Sequence, residues 1–311
     1  MALGTNQVTT TIAGNFIPEL WSDEVIGAYK ANLVVANLVT KLNHKGKKGD
    51  TIHIPVPARG SASAKAANTQ VTLSAATNTV IDVSIASHYE YSKLIEDIAE
   101  VQSLASMRKF YTADAGYALA KQVDTDLINL AEGFQSGTTT DKSYDTAVIG
   151  SDGSTAFTGT NEADITDAGI RAMLLTLDNA DVPMDNRALI IPPVAANDLL
   201  GINRFTEQQF IGSGDAIKTG KIGQIYGVDV YITTNAPTVK SSGGTGDSAA
   251  GTERVGVLMH KDALVLAEQV GVRTQTQYQQ QYLGDLFTAD TIYGVKELRN
   301  DAGIAFVVPA S

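Results

Sequence analysis

Apolar residues recur at intervals of three or four from Leu104 to Phe134, through Met107, Tyr111, Ala115, Leu119, Val123, Leu127 and Leu130. That spacing keeps one stripe on one face of a helix, and the stretch predicts the longest element of the chain, roughly 45 Å at about 1.5 Å per residue. Gly116 is its weak spot, costing up to about 1 kcal/mol against alanine.

Ahead of this helix the pattern is different. The first ten residues are polar and threonine-rich and read as a mobile arm. Pro18 suits a first helical turn, with Trp21, Val25, Ala28 and Tyr29 at helical spacing, and an apolar stretch runs from Leu33 to Leu42. Asn43 to Asp50 is a basic turn carrying Lys45, Lys47 and Lys48 with Lys41 just before it. Thr51 to Pro57 alternates like a half-exposed strand, and Pro55 and Pro57, which cannot donate to a ladder, assign it to an edge. Arg59 to Thr69, with Lys65 inside it, has little to bury and forms a loop tip. The return strand alternates Val80, Asp82, Ser84 and Ala86 with Ile81, Val83 and Ile85. Residues 46–87 are therefore one long two-stranded excursion. Such a hairpin is marginal alone in water and wants a surface to lie on, yet none is evident nearby in the chain.

Behind the long helix, Ser136 to Thr160 is rich in Gly, Ser, Thr and Asp and is expected to be a surface loop or small hairpin. From Glu162 the pattern turns α/β. A helix near Ile165–Leu177 precedes a buried strand Arg187–Ile191, a short helix Val194–Leu200 and a strand Val228–Ile232. An exposed low-complexity loop, Lys240–Thr252, leads to a strand at Arg254–Met259 and an apolar stretch at Ala263–Gln269. The tail continues through Tyr/Gln alternation to a last apolar run, Ile304–Val308.

Several chemistries are disfavoured on composition. The 311 residues contain no cysteine, which removes thiolate catalysis, disulfides and Cys-ligated zinc. A net charge of -11 opposes tight binding of phosphate backbones. No apolar run approaches the ~20 residues of a membrane span, and the N-terminus lacks the charged and apolar regions of a signal peptide. His44, His53, His88 and His260 show no metal-ligand spacing. In Gly212–Lys221, Asp215 and Ile222 stand where a phosphate loop needs Gly and Ser or Thr. No GxSxG elbow occurs. Glu90, Glu96, Asp97 and Glu100 cluster before the long helix, either as an acidic face for a basic partner or as a carboxylate pair for acid–base work. The basic turn could touch nucleic acid only weakly and in a salt-sensitive way, having no interleaved aromatic residues, and is otherwise either solvated or in contact with acidic patches on a neighbouring subunit.

The order of elements resembles the tailed-bacteriophage capsid fold, the Hong Kong 97 fold. So do the phrases Phe16–Ser22, Gly46–Pro55, Tyr91–Asp97, Ala188–Pro193, Gly223–Val230 and Asp290–Lys296. The resemblance implies an α+β chain divided into an N-arm (1–44), an extended hairpin loop (45–87), a peripheral domain with the spine helix (88–159), an α/β axial domain (160–270) and strands returning to the peripheral domain (271–311). It implies a non-enzymatic major capsid protein that builds an icosahedral shell of pentamers and hexamers around double-stranded DNA. No cofactor, metal or membrane is involved on this view, and DNA is touched only non-specifically. Partners would be other copies of itself, a separate scaffolding protein, a portal and a decoration protein, with the virion capsid assembled in the host cytoplasm. The excursion would then lie across a neighbour, with Lys41, Lys45, Lys47, Lys48, Arg59 and Lys65 meeting Glu90, Glu96, Asp97 and Glu100 next door. Some family members join a loop-tip lysine covalently to a neighbour; Lys65 has the position, but no acceptor is identifiable. A nanocompartment shell of the same fold and an extracellular array or adhesion protein are the alternatives, and an α/β enzyme over residues 160–270 is a third.

Overall fold

A computed structural model describes residues 34–44, 49–56, 60, 62–71, 73, 78–97, 107–135, 144, 146–159, 161–202, 223–240 and 250–309. The expected arm, the Gly212–Lys221 run and most of the Lys240–Thr252 loop lie outside the described residues.

The described chain opens with α1 (Val35–Leu38) and β1 (Thr40–Asn43). The excursion follows as β2 (Thr51–Val56) and β3 (Thr79–Ser84), and β4 (Ser87–Glu96) continues from it. The long helix, α2, spans Met107–Asn129 and tightens into a 3-10 turn over Leu130–Gly133, about 35 Å of α-helix. Then come β5 (Val148–Ile149), α3 (Asp167–Asn179), β6 (Arg187–Ile191), α4 (Pro193–Gly201), β7 (Gln224–Ile225), β8 (Val228–Ile232) and β9 (Thr238–Lys240). The chain closes with β10 (Ala250–His260), β11 (Leu264–Gln279), β12 (Gly284–Glu297) and β13 (Gly303–Val308).

Two sheets carry the fold. One has four strands in the order β1-β11-β12-β4, with β12 antiparallel to both of its neighbours and β1 parallel to β11. The other has seven, in the order β5-β13-β10-β6-β8-β7, with β9 paired to β10. Strand β6 has β8 and β10 on its edges and its apolar side chains in the larger core, buried along its whole length, which is why its sequence is a continuous apolar run instead of an alternation. Arg187 is its exception: the buried guanidinium donates to Asp178 (2.7 Å) and to the carbonyls of Val182 (2.7 Å) and Pro183 (2.8 Å). Thr166 caps α3, its hydroxyl accepting from the Gly169 amide. Pro193 occupies the first turn of α4, where its missing N–H costs nothing.

The apolar stripe on α2 serves both sheets. Ala115 and Leu119 pack with Phe287 and Ala289 of the four-stranded sheet. Leu127, Ile128, Ala131 and Phe134 enter the larger core shared with the seven-stranded sheet. Two sheet tyrosines clamp the helix as well. Tyr91 donates to Asp114 at 3.0 Å, and Tyr293, stacked on Tyr89, donates to Asp126 at 2.6 Å. Burial, reinforced by Asp114, pushes the Tyr91 hydroxyl up to about 12.

Three expectations change. The excursion does have a seat in its own chain: Val83 and Ile85, with Ile52 and Ile54, pack on Val265, Ala267 and Ile292. Such long-range contacts carry no local sequence signal. Residues after Ser136 are not only surface, since Tyr144 and Phe157 are buried and Val148–Ile149 pairs with β13. The tail does not return as one group: β11 joins the four-stranded sheet from Leu264 onward with β12, whereas β13, buried on both faces, inserts between β5 and β10 of the other sheet.

Candidate subunit-contact surface

The hairpin β2–β3 is a two-stranded sheet with both edges open, as Pro55 requires. Register sets Ile52 opposite Val83 and Ile54 opposite Ile81 on one face, and His53 opposite Asp82 on the other, 2.6 Å apart. Cover on the apolar face runs out along the hairpin: Val83 is fully buried at the root, Ile54 and Ile81 are half-buried, and Val56 is exposed. Beyond it Val71 and Leu73 are 64% and 91% exposed, apolar side chains that gain nothing from their own chain. At the root, a β-carbon on Gly294 would fall 2.3 Å from the Ser84 carbonyl oxygen, so only glycine lets the end of β3 cross this close to β12.

Of the expected contact residues, the structure describes five. Glu90 and Glu96 lie exposed on β4, six residues apart and therefore on the same side of the strand. Asp97, just beyond, accepts from Tyr278 at 2.9 Å. Together these three form an acidic strip along the end of β4. Lys41 stands exposed on β1 and donates to Asn37 at 3.2 Å, and Lys65 is exposed on the excursion. Strands β1 and β4 are the two outer strands of the four-stranded sheet, so the structure holds Lys41 and the acidic strip at opposite edges and does not pair them. Lys45, Lys47, Lys48, Arg59 and Glu100 lie outside the described residues. No group of three metal-ligating side chains occurs among the described residues.

Sequence reasoning missed the polar cluster that stiffens this edge. Asp290, nearly buried on β12, accepts from Arg273 through two bonds (2.7 and 2.8 Å) and pairs with His88 of β4 at 3.1 Å. The Arg273 guanidinium, opposed by partial burial and assisted by His88, holds the Asp290 carboxyl below the usual carboxylate range. A depressed folded value means stability that is full above the unfolded pKa of about 4 and lost as the pH falls through the folded one. Arg273→Gln is expected to unfold at a lower temperature than wild type at pH 6, with the gap closing toward pH 3; a constant gap across that range would refute the linkage. The one available signal was cross-strand: His88 and Arg273 meet Asp290 only once the register of three strands is known.

Two mixed sheets joined by a long helix carry a hairpin that is seated at its root and exposed toward its tip, the architecture of a shell subunit. A model of the family described as phage capsid protein matches residues 37–294, and the chain belongs to that family. It is a major capsid protein with the Hong Kong 97-like fold. Among solved structures it is similar to one from Mycobacterium phage Che8, with 25% identity, a TM-score of 0.73, and 94% of this chain and 97% of that one covered. The capsid of Cyanophage P-SCSP1u aligns at 19% identity and TM-score 0.76 over 99% and 97% of the two chains. The head structure of Helicobacter pylori bacteriophage KHP40 aligns at 12% identity and TM-score 0.73 over the full length of both. No curated protein sequence matches.

Proposed function

We propose that the chain assembles with itself, as pentamers and hexamers, into the icosahedral virion shell around double-stranded DNA. The observation that carries this is the excursion, whose apolar face is seated at its root and bare toward its tip, where Val56, Val71 and Leu73 need a neighbour to cover them. The four-stranded sheet with α2 corresponds to the peripheral domain, and the seven-stranded sheet to the axial domain. Lys41 and the acidic strip, set at opposite edges of one sheet, suit a lateral contact in which each copy presents one charge to the next. The excursion's lysines and Arg59 add to it against Glu90, Glu96, Asp97 and Glu100. Each exposed pair contributes at most about 1 kcal/mol, but a closed shell repeats it many times. The protein does no catalysis, uses no cofactor, and at net charge -11 holds DNA only non-specifically. A separate scaffolding protein, a portal and a decoration protein complete the assembly in the host cytoplasm.

Expression alone and with the neighbouring phage genes, followed by negative-stain electron microscopy, is expected to give closed shells or rings of five or six. A stable monomer in both conditions would overturn the proposal. Charge reversal at Lys47 and Lys48 together is expected to cut shell yield by up to about thirtyfold, corresponding to two pairs of at most about 1 kcal/mol each per subunit. Wild-type yield would remove the basic turn from the contact.

A further inference from the structure

We propose that the outer half of β11 pairs edge to edge with the same strand of a second copy, across a two-fold axis. The contact joins one ring of subunits to the next, and in that sense it rests on the shell reading above. Strand β1 covers β11 only from Val265 to Glu268, while β12 occupies the opposite edge. Two register shifts interrupt the β11–β12 ladder before Arg273, after which it runs unbroken to Gln279. Over those residues no strand lies on the far edge among the described residues, and Arg273 to Tyr278 are exposed on both faces. Backbone donors and acceptors thus stand in a straight open row, which a further strand can complete.

Charge decides what that strand is. The open edges of β1, β2, β3 and β4 each carry a feature that opposes self-pairing: Lys41 on β1, Pro55 on β2 and Asp82 on β3. On β4, antiparallel pairing about Lys93 would set Lys93 against itself and Glu90 against Glu96. Arg273–Gln279 has no proline, no bulge and no carboxylate, and its one charge, Arg273, is already bound twice to Asp290. Centred on Thr276, this sequence is its own antiparallel partner. Thr276 faces Thr276, Gln275 faces Gln277 and Thr274 faces Tyr278, with no like charges opposed. The two Arg273 side chains then stand about 20 Å apart, at ~3.4 Å per residue. Pairing stops short of the segment that β1 covers and brings the hairpin turn of each copy beside Val272 of the other. The exposed Val272, Tyr282 and Leu283 (53%, 62% and 66%) thereby gain apolar neighbours. Symmetry points the same way: the Lys41 contact with the acidic strip is head-to-tail and closes rings, whereas linking rings across a two-fold calls for a surface that matches itself.

The chain has no cysteine, so Thr276→Cys reports on this seam alone. Directly opposed strand residues bring their β-carbons within disulfide reach. Oxidised with copper phenanthroline after assembly, shells of Thr276→Cys should run as dimers on a denaturing gel without reductant. Shells of Gln279→Cys, whose thiols lie about 20 Å apart in this register, should run as monomers. Thr276→Lys sets two like charges face to face on the axis and is expected to leave rings of five or six on electron micrographs while closed shells are lost. Monomeric Thr276→Cys in closed shells, the outcome if the excursion or another segment fills this edge, would overturn the pairing and leave the shell proposal standing. Normal shells from Thr276→Lys would do the same. Wild-type chains that form neither rings nor shells would instead sink both.

Discussion

Gly294→Val is expected to lift the excursion off the body. The new side chain begins where a β-carbon already lies 2.3 Å from the Ser84 carbonyl oxygen and 3.1 Å from the Ile85 α-carbon. Backbone on both sides of the contact has no rotamer to yield, so either β3 moves away or β12 bends and loses pairing with β11 and β4. Overpacking of this kind costs about 1–3 kcal/mol. The functional loss should exceed the loss of stability, because the displaced element is the one proposed to reach a neighbour. The urea midpoint and the yield of shells, measured together, check this: a small fall in the first with near abolition of the second is the expected pattern. Gly116→Ala is the opposite-sign control. Nothing lies within 4 Å of a β-carbon there, so the helix should gain up to about 1 kcal/mol and assembly should not change. Normal shells from Gly294→Val would mean that the root of the hairpin is not positioned by this crossing.

Asp124→Ala is expected to cost about 3 kcal/mol, because it orphans buried donors that no other group can satisfy. Asp124 is fully buried in α2 and its carboxylate accepts from the amides of Val35 (2.8 Å) and Ala36 (3.3 Å) and from Asn235 (3.4 Å). Helix α1 has no side-chain cap of its own, so this carboxylate from a distant helix takes that role. Burial pushes the Asp124 carboxyl above the ordinary carboxylate range, against those hydrogen bonds, which pull it down. With a raised folded value the group's contribution is full below its unfolded pKa of about 4 and is lost as the pH rises through the folded one. The stability gap between wild type and Asp124→Ala should therefore be widest in acid and shrink upward in pH, the reverse of the Asp290 cluster. Thermal melts of the two variants over one pH series separate the signs, and parallel trends would contradict the assignment.

What could be read from the sequence was whatever leaves a periodic trace. The α2 stripe held at Ala115, Leu119 and Leu127, all buried, whereas Phe134 is buried beyond the helix end in extended backbone, and Val83 and Ile85 fell on the buried face of the return strand as their alternation requires. Pro55 correctly placed β2 at an edge. The misses share a different origin. Gly294 looks like any strand glycine until the path of β3 is known, and Asp124 sits beside stripe positions with nothing local to mark it as a cap. Arg187 reads as the polar start of an apolar strand, although it is held by Asp178 at the end of α3 and by two carbonyls of the turn that follows. The Asp290 cluster needs three strands in register. Each of these depends on contacts between residues far apart in the chain, which neither spacing nor propensity encodes.

The placement of β11, β12 and β13 has a consequence for how the protein is made. Strand β1 pairs with β11 across more than two hundred residues, β4 waits for β12, and β5 waits for β13. Both sheets are thus completed by strands from the last fifty residues of the chain. A ribosome adding about 5–20 residues per second must hold an unfinished chain for many seconds before either sheet can close. The Glu90–Glu96 strip and the Gly294 seat for the excursion come into being only after the C-terminal strands emerge. Nascent chains on one messenger therefore lack the surfaces by which finished subunits are proposed to recognise each other, so the timing of synthesis would itself separate folding from assembly.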